Sequence, residues 1–225
     1  MAESWVAGWV LSRGAAEPVP RDWGLTVDVG QVTQVTRYVI TRPEESSVRR
    51  VAAEGAVPGH WIKVFAEQSS IGPWLGPGWR VDEPGHLMTT RVTGRAPGGP
   101  PDGYHRRSWT RQGVTRVLLT APDGAFAARG QVAVRGRTAV VDQIETGAAH
   151  RRRGLGSHVL GVLDAAAHHG GADRAVLGAS PEGRELYTSL GWEVRAPLSS
   201  YVFKGPAEAR GLTEPKGPAE ATRGT

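Results

Sequence analysis

The stretch from Val140 to Ser157, VVDQIETGAAHRRRGLGS, decides which fold this chain can adopt. It contains an apolar run, a short turn, three arginines, two glycines and the first turn of an amphipathic helix. A strand that leads through a glycine-containing loop into a helix leaves several backbone N–H groups free at the positive end of the helix dipole. These groups surround a small volume that suits a phosphate. We therefore predict a bound anion at this loop, namely the pyrophosphate of a nucleotide-like cofactor.

The composition is that of a soluble globular protein. The chain has 225 residues, of which 39% are hydrophobic and 22% are charged, enough for one large core or two small ones. No apolar run approaches the roughly 20 residues that cross a bilayer, and the N-terminus lacks the architecture of a signal peptide. We expect no membrane association and a cytoplasmic location. These properties are compatible with a homodimer.

The net charge of +5 comes mainly from arginine, since Lys63, Lys204 and Lys216 are the only lysines among 27 basic residues. A charge of this size, spread over the whole chain, permits binding of nucleic acid or of polyanionic small molecules but selects neither. We expect solvated surface arginines and no nucleic-acid partner. The sequence has no cysteine, which excludes disulfides, thiolate metal sites and a cysteine nucleophile. No spacing of histidines or carboxylates predicts a metal site.

Turn-rich segments divide the chain into three regions. Residues 1–110 form an N-terminal α/β region, residues 111–204 form a more regular region, and residues 205–225 are low in apolar content and predicted to be disordered. A Pro/Gly-rich link at Arg91–Gly103 marks the clearest internal boundary, and we expect it on the surface. No second glycine loop occurs in residues 1–110, so we do not expect this region to repeat the fold of the second.

Three predictions concern the N-terminal region. The apolar segment Trp5–Leu11 is predicted to be a buried or half-buried strand. The spacing of a capping box at Thr41–Glu44 predicts a helix that ends near Glu54. In the Gly/Pro/Trp-rich loop that follows, Trp74 and Trp79 either line a pocket or pin the loop to the core.

The second region has a clear order of elements. Turns connect three successive antiparallel strands, which are followed by a helix, a short strand, a second helix and closing strand material. The predicted bounds are Val114–Thr120, Ala125–Val134 and Ala139–Thr146 for the three strands, about Gly156–His169 for the first helix, Ala175–Gly178 for the short strand, Ser180–Gly191 for the second helix with its cap, and Glu193–Val202 for the last strand.

This order of elements resembles the GNAT superfamily of acyl-CoA-dependent N-acyltransferases. The family's loop has the pattern Arg/Gln-x-x-Gly-x-Gly/Ala, which Arg151–Gly156 matches in full. A second signature, Asn-x-x-Ala-x-x-x-Tyr-x-x-x-Gly-Phe, is met with serine for asparagine, glycine for alanine and tryptophan for phenylalanine. Its matching residues are Ser180, Gly183, Tyr187, Gly191 and Trp192. The resemblance covers roughly residues 114–203 and implies a mixed α/β fold of the GNAT type with an additional N-terminal region.

The resemblance implies acetyl-CoA as the acyl donor substrate and no metal. Gly154 and Gly156 lack a Cβ and so permit close approach of the backbone to a pyrophosphate, while arginine side chains can pair with the 3′-phosphate. The strand before the loop is expected to splay from its neighbour and to bind the pantetheine arm and the thioester carbonyl with its backbone. The implied cofactor-binding residues are Ile144, Glu145, Thr146, Arg151, Arg152, Arg153, Gly154, Leu155, Gly156, Ser157 and Ser180.

The resemblance also implies catalytic roles. Tyr187 stands at the position of the general acid that protonates the leaving thiolate, although a tyrosine there is also compatible with a packed core residue. Asp142 is the candidate base: by strand alternation it shares a face with Ile144, whereas Glu145 points to the other face unless a bulge intervenes. Alternatively, Asp142 only hydrogen-bonds a neighbouring strand or loop, and a chain of water molecules serves as the base. His86 and His105 are weaker candidates for the base.

The function that follows from the resemblance is transfer of an acetyl group from acetyl-CoA to a primary amine by direct attack. The acceptor is a small-molecule or peptide amine that the sequence does not identify, and selectivity for it is expected to arise in residues 1–110. The alternative is a non-catalytic regulatory module that binds acyl-CoA.

Overall fold

The structure is a computed structural model that describes residues 1–205. The predicted disordered tail, residues 205–225, lies outside the described residues apart from Gly205. The elements are α1 (Ala2–Arg13), β1 (Val19–Arg21), β2 (Gly24–Gln31), β3 (Gln34–Ile40), α2 (Glu45–Glu54), β4 (His60–Val64), α3 (Gln68–Ile71), β5 (Trp79–Val81), β6 (Gly85–Arg91), β7 (His105–Arg111), β8 (Val114–Thr120), β9 (Phe126–Arg135), β10 (Thr138–Thr146), α4 (Leu155–His169), β11 (Arg174–Ala179), α5 (Pro181–Ser189) and β12 (Glu193–Phe203).

All twelve strands belong to one mixed sheet. Its order is β1-β2-β3-β4-β12-β6-β11-β10-β9-β8-β7, and β5 pairs with β12. Two neighbouring pairs are parallel, β3 with β4 and β10 with β11, and each is connected by a helix because parallel strands need a crossover. The mixed α/β fold expected from the sequence is confirmed.

The two halves of the chain repeat one arrangement. In each half an antiparallel set of strands leads into a helix, a strand parallel to the one before that helix, a short helix and a closing strand. The closing strands are exchanged, since β12 lies beside β4 and β6 lies beside β11. The expectation that residues 1–110 do not repeat the second region is therefore wrong. A glycine loop serves ligand binding, so its absence from the β3–α2 turn does not prevent the same strand and helix order.

Residues Trp5–Leu11, predicted as a strand, belong to helix α1. Trp5 and Trp9, and likewise Val6 and Val10, are four residues apart, and all four side chains are buried. The apolar run suits a helix here because α1 packs against the sheet in both halves of the fold, reaching β2 as well as β9 and β10. By contrast, the predicted helix that ends at Glu54 is confirmed as α2, and the second-region helices are confirmed as α4 and α5.

Helix α1 covers one face of the sheet, and α4 and α5 cover the other. On β10, Val140 packs in the cluster that contains α1, whereas Val141 packs in the cluster that contains α4 and α5. A third cluster surrounds α2 and α3. Among the helices within residues 1–205, none is long and apolar enough to cross a membrane.

The Pro/Gly-rich link follows the surface of α4. Asp164 on that helix accepts hydrogen bonds from the backbone N–H groups of Thr93 and Gly94, the latter at 2.8 Å. Farther along, Pro97 packs against Gly161. The predicted boundary between residues 110 and 111 falls inside β7, which pairs with β8, so β7 belongs structurally to the second region.

Candidate active site

An open slot separates β10 from β11. The two strands pair only from Thr138 with Arg174 to Val140 with Val176. Beyond that point β10 continues to Thr146 beside β9, while β11 continues to Ala179 beside β6. The splayed strand that the resemblance implied is therefore present, and its unpaired edge includes Ile144, Glu145 and Thr146.

The corresponding strands of the first half leave no such slot. There, β3 and β4 stay paired up to Ile40 with Val64, the last residue of each strand. Helix α2 also begins with Glu45 in its first turn, a charge that disfavours an anion at that helix N-terminus. Residues 1–205 contain two strand–helix–strand units with parallel strands, β3–α2–β4 and β10–α4–β11. Of these, only the second combines an open strand edge with a glycine loop.

The loop between β10 and α4 has the backbone geometry that an anion site requires. Gly154 caps α4 with φ of 75°, and Arg152 adopts φ of 60°. The first N–H groups of α4, those of Leu155, Gly156 and Ser157, have no partner one turn earlier in the helix. A Cβ on Gly156 would lie 3.1 Å from Leu186 Cδ2, so a side chain there would crowd the contact between α4 and α5.

Two of the three loop arginines are held by neighbouring side chains. Arg151 Nη1 lies 2.9 Å from Glu182 Oε1 on α5, and Arg153 Nη1 donates to the Tyr104 hydroxyl at 3.2 Å. That hydroxyl also lies 3.1 Å from His150 Nδ1. Sequence analysis missed Tyr104, because this residue, the first after the link, is brought to the loop only when the link packs along α4.

A bulge at Gln143 places Asp142 and Ile144 on opposite faces of the sheet. Gln143 has φ of 54°, and the register between β9 and β10 shifts between Asp142 and Glu145. Ile144 packs on the α4 side, where its Cδ1 would lie 2.4 Å from a Cβ added at Gly130. The prediction that Asp142 and Ile144 share a face is wrong, because the extra residue of a bulge reverses strand alternation.

Asp142 lies on the α1 side and is held by that helix. Arg13 donates to it through Nε at 2.5 Å and Nη2 at 2.9 Å, and the Ser12 hydroxyl donates at 2.9 Å. Gln131 completes the network by donating to the Ser12 hydroxyl at 2.6 Å. The hydrogen-bonding role that sequence analysis left open for Asp142 is therefore present. Glu145 carries its own ion pair, at 2.8 Å, with Arg129 on β9.

Tyr187 on α5 is buried at the α4 side of the slot. Its ring packs on Trp192 with 5.8 Å between centroids, and a Cβ on Gly183 would lie 3.1 Å from Tyr187 Cε2. Burial, followed by the negative charge of Asp142, raises the pKa of Tyr187 to about 12. The phenol therefore keeps its proton at neutral pH. Ser180 caps α5, since its hydroxyl accepts from Gly183 N at 3.1 Å.

A groove of about 480 Å³ opens on the α1 side of strands β7 to β10. Its walls include two exposed aromatic side chains, Trp109 and Phe126. Its lining also includes Gln143 and Gln131, and Gln131 donates to the Ser12 hydroxyl that binds Asp142.

The remaining candidates lie elsewhere. Trp79 is buried, and its indole N–H donates to the Ala52 carbonyl at 3.1 Å, so it pins its loop to the core. Trp74 is half-buried against the same cluster. His105 is exposed on edge strand β7, and His86 lies on β6 beside Ala179. In residues 1–205 no three His, Cys, Asp or Glu side chains are grouped as metal ligands.

Comparison with solved structures decides the fold. The chain superimposes on a GCN5-related N-acetyltransferase from Kribbella flavida with a TM-score of 0.65, 16% identity, and coverage of 91% of this chain and 94% of the other. It superimposes on a GNAT-family acetyltransferase described as putative, from Novosphingobium aromaticivorans, with a TM-score of 0.57, 17% identity, and coverage of 91% and 99%. The chain has the GNAT fold. No protein-family model and no curated relative matches the sequence.

The GNAT fold here extends over nearly the whole chain, not only over the second region. A third neighbour is described as a tandem GNAT protein from the clavulanic acid biosynthesis pathway; it aligns with a TM-score of 0.50, 12% identity, and coverage of 66% of this chain and 65% of the other. Since the first two alignments each cover 91% of this chain, they include most of residues 1–110. Most of the N-terminal region is thus included in these two superpositions.

Proposed function

We propose that this chain transfers an acetyl group from acetyl-CoA to a primary amine by direct attack. The observation that carries the proposal is the slot between β10 and β11, which opens beside the glycine-capped N-terminus of α4. The two features together offer a backbone edge for an extended chain and an anion site for the pyrophosphate at its end. The cofactor-binding role of the loop residues, of Ser180 and of residues 144–146 is part of this proposal.

Acetyl-CoA supplies the acetyl group as a thioester. The free backbone N–H groups on the β10 edge donate toward the carbonyl oxygen, where negative charge develops as the amine attacks. As the C–N bond forms and the C–S bond breaks, the Tyr187 hydroxyl gives its proton to the leaving sulfur. The phenol is protonated at neutral pH, as a general acid must be before it gives up its proton.

Asp142 is the proposed base that takes the proton of the attacking amine. Its carboxylate lies on β10 two residues before Ile144, in the part of the strand that no longer pairs with β11. It lies on the α1 side, where the groove opens, whereas Tyr187 packs with the α4 side. An acid and a base on opposite sides of the slot suit attack from one side and departure to the other.

The second candidate function is a non-catalytic module that binds acyl-CoA. The observation that favours it is the engagement of Asp142 by Arg13 and Ser12, which leaves the proposed base fewer free lone pairs. The enzyme would take acetyl-CoA and a small-molecule or peptide amine, whereas the regulatory module would take only an acyl-CoA. The cytoplasmic location, the homodimer and the absence of a nucleic-acid partner stay predictions.

The test combines calorimetric titration with acetyl-CoA and an assay of free thiol release against a panel of primary amines. We expect binding together with amine-dependent release of CoA and a mass increase of one acetyl group on the amine. Binding without turnover for any amine favours the regulatory module. A protein that is folded by circular dichroism but binds no acetyl-CoA overturns both functions.

A further inference from the structure

Arg37 on β3 and Lys63 on β4 form what we call the buried cation pair. Arg37 is 7% exposed and Lys63 is half-buried. They lie on neighbouring strands, two residues apart in register, because Lys63 is paired with Val39. Their Cα atoms are therefore roughly 8 Å apart, and both side chains face α1.

Each cation has neutral contacts. The Arg37 guanidinium lies 3.8 Å from the ring centroid of Trp9 on α1, and its Nη2 donates to Gln34 Oε1 at 2.9 Å. The Lys63 ammonium donates to the Ser200 hydroxyl and lies 5.5 Å from the Trp61 ring. Aromatic faces and neutral oxygens orient the two cations, but they do not neutralise their charges.

No carboxylate lies within 4.0 Å of either cation in the part of the chain that the structure describes. Within the same residues, Arg37 Nε is the one fully buried side-chain nitrogen or oxygen without a hydrogen-bond partner. Buried arginine and lysine are almost always paired, because an uncompensated charge loses its hydration without replacement. An exception of this kind calls for an explanation, and a bound anion is one that also balances the charge.

The burial is reflected in the titration of both groups. Burial, followed by the charge of Arg13, lowers the pKa of Arg37 to about 9. Burial, followed by the charge of Arg37, lowers the pKa of Lys63 to about 7, and Asp82 partly opposes that shift. A bound anion would stabilise the charged form of both groups.

The buried cation pair lies near the proposed reaction centre. Asp142 lies on the part of β10 that is no longer paired with β11, and Arg13 of α1 binds its carboxylate. Trp9 contacts Arg37 and lies one helical turn before Arg13, which holds Asp142. Arg37 and Asp142 therefore contact residues one turn apart on the same helix.

We propose that Arg37 and Lys63 bind an anionic group of the acceptor, which is therefore a small amine that also carries a carboxylate or a phosphate. The proposal rests on the proposed acetyltransferase function and names the substrate class of that site. The ammonium end of such a zwitterion faces Asp142, and its anionic end faces the buried cation pair. Neutral and polycationic amines do not neutralise the positive charge of Arg37 and Lys63, so the site disfavours them.

The first experiment measures kcat/KM for acceptors that differ only in the anionic group. The twenty L-amino acids are compared with their amides, and O-phosphoethanolamine is compared with ethanolamine. We expect the anionic member to be preferred by about tenfold to a hundredfold in at least one of the two sets, as for a hydrogen bond to a charged group. The two sets distinguish a carboxylate from a phosphate. Equal kcat/KM within every pair overturns the proposal.

The second experiment uses Lys63→Met, which keeps the length of the side chain and removes its charge. We expect kcat/KM for the preferred anionic acceptor to fall by about tenfold or more, with little change for its neutral analogue. Lys204→Met, at an exposed position after β12, is the matched control and should change neither value. Equal losses for the anionic and neutral acceptors in Lys63→Met contradict the proposal.

A binding measurement separates this inference from the acetyltransferase function. The melting temperature of the wild-type chain is measured with the same amino acids and with O-phosphoethanolamine, in the absence of acetyl-CoA. A shift that Lys63→Met abolishes and Lys204→Met retains supports the anion site even if no amine is acetylated. Turnover of amines without any such shift or anionic preference supports the enzyme and overturns the anion site.

Discussion

The Arg13 guanidinium binds both carboxylate oxygens of Asp142 across 129 residues of sequence. This bidentate ion pair joins the first helix of the chain to the strand that carries the candidate site. The pair is partly shielded, with the Asp142 side chain 12% exposed, so its geometry is more constraining than that of a surface ion pair. The N-terminal helix therefore determines the orientation of the proposed base.

Arg13→Met should lower the free energy of unfolding by about 1–3 kcal/mol, because Asp142 is left partly buried without its charged partner. Urea unfolding monitored by circular dichroism measures the change. Arg135→Met is the control, since the ion pair of Arg135 with Glu17 is long, at 3.5 Å, and exposed, and its loss should cost less than about 1 kcal/mol. Equal effects of the two substitutions would show that the ion pair of Arg13 with Asp142 stabilises the fold no more than a surface ion pair does.

Tyr187→Phe should reduce kcat by about a hundredfold, because it removes the proposed proton donor and keeps the ring that packs on Trp192. Tyr201→Phe is the control: its hydroxyl donates to the Gln68 carbonyl, remote from the slot, and kcat should be unchanged. The measurement is steady-state thiol release at saturating acetyl-CoA. Wild-type turnover in Tyr187→Phe would remove Tyr187 from the mechanism.

The free energy of unfolding of the wild-type chain should fall between about pH 10 and about pH 12 because Tyr187 is deprotonated more easily in the unfolded chain. Tyr187→Phe removes this contribution. A tyrosine in the unfolded chain loses its proton near pH 10, whereas Tyr187 in the folded chain keeps it until about pH 12. The unfolded state is thus favoured as pH rises through this window, by about 1.4 kcal/mol per pH unit. Urea titrations at pH 9 and pH 11.5 should show a smaller decline for Tyr187→Phe than for the wild type.

Gly154→Ala should weaken acetyl-CoA binding about tenfold or more, because a Cβ disfavours the left-handed backbone that shapes the loop. Gly136→Ala is matched to it, since both glycines have positive φ and neither has an atom within 4 Å of an added Cβ. Both substitutions should lower stability by about 1 kcal/mol. In calorimetric titration, only Gly154→Ala should lose affinity; equal losses would assign the effect to the fold as a whole.

Lys63→Met should raise the free energy of unfolding at pH 6 by about 1–4 kcal/mol, the range found when buried ion pairs are replaced by apolar side chains, because the variant no longer removes a charge from water. The folded pKa of Lys63, about 7, is lower than that of an unfolded lysine, so the unfolded state binds more protons between those values. Wild-type stability should therefore rise with pH from about 7 to about 10.4, and the advantage of the variant should shrink over the same range. Lys204→Met should behave as the wild type.

Local sequence patterns were sufficient to predict an element where residues within that segment determine its structure. The helices α2, α4 and α5 were predicted because helical spacing and caps act within a few residues, as at Ser180. Strand alternation failed at Gln143, since a bulge depends on the pairing partner and not on the strand alone. The apolar run at Trp5 was mistaken for a strand because a helix buried on several sides lacks a polar face.

By itself, the sequence determined that a glycine loop precedes a helix at Gly154, and that a second helix carries Tyr187, because both depend on the conformational freedom of glycine and on short-range periodicity. Only the tertiary structure decided that the two halves repeat, that Asp142 faces α1, and that Arg37 and the half-buried Lys63 have no carboxylate within 4.0 Å in residues 1–205. Those relationships join residues far apart in the chain. They depend on which strands pair and which faces pack together, and no local pattern specifies either.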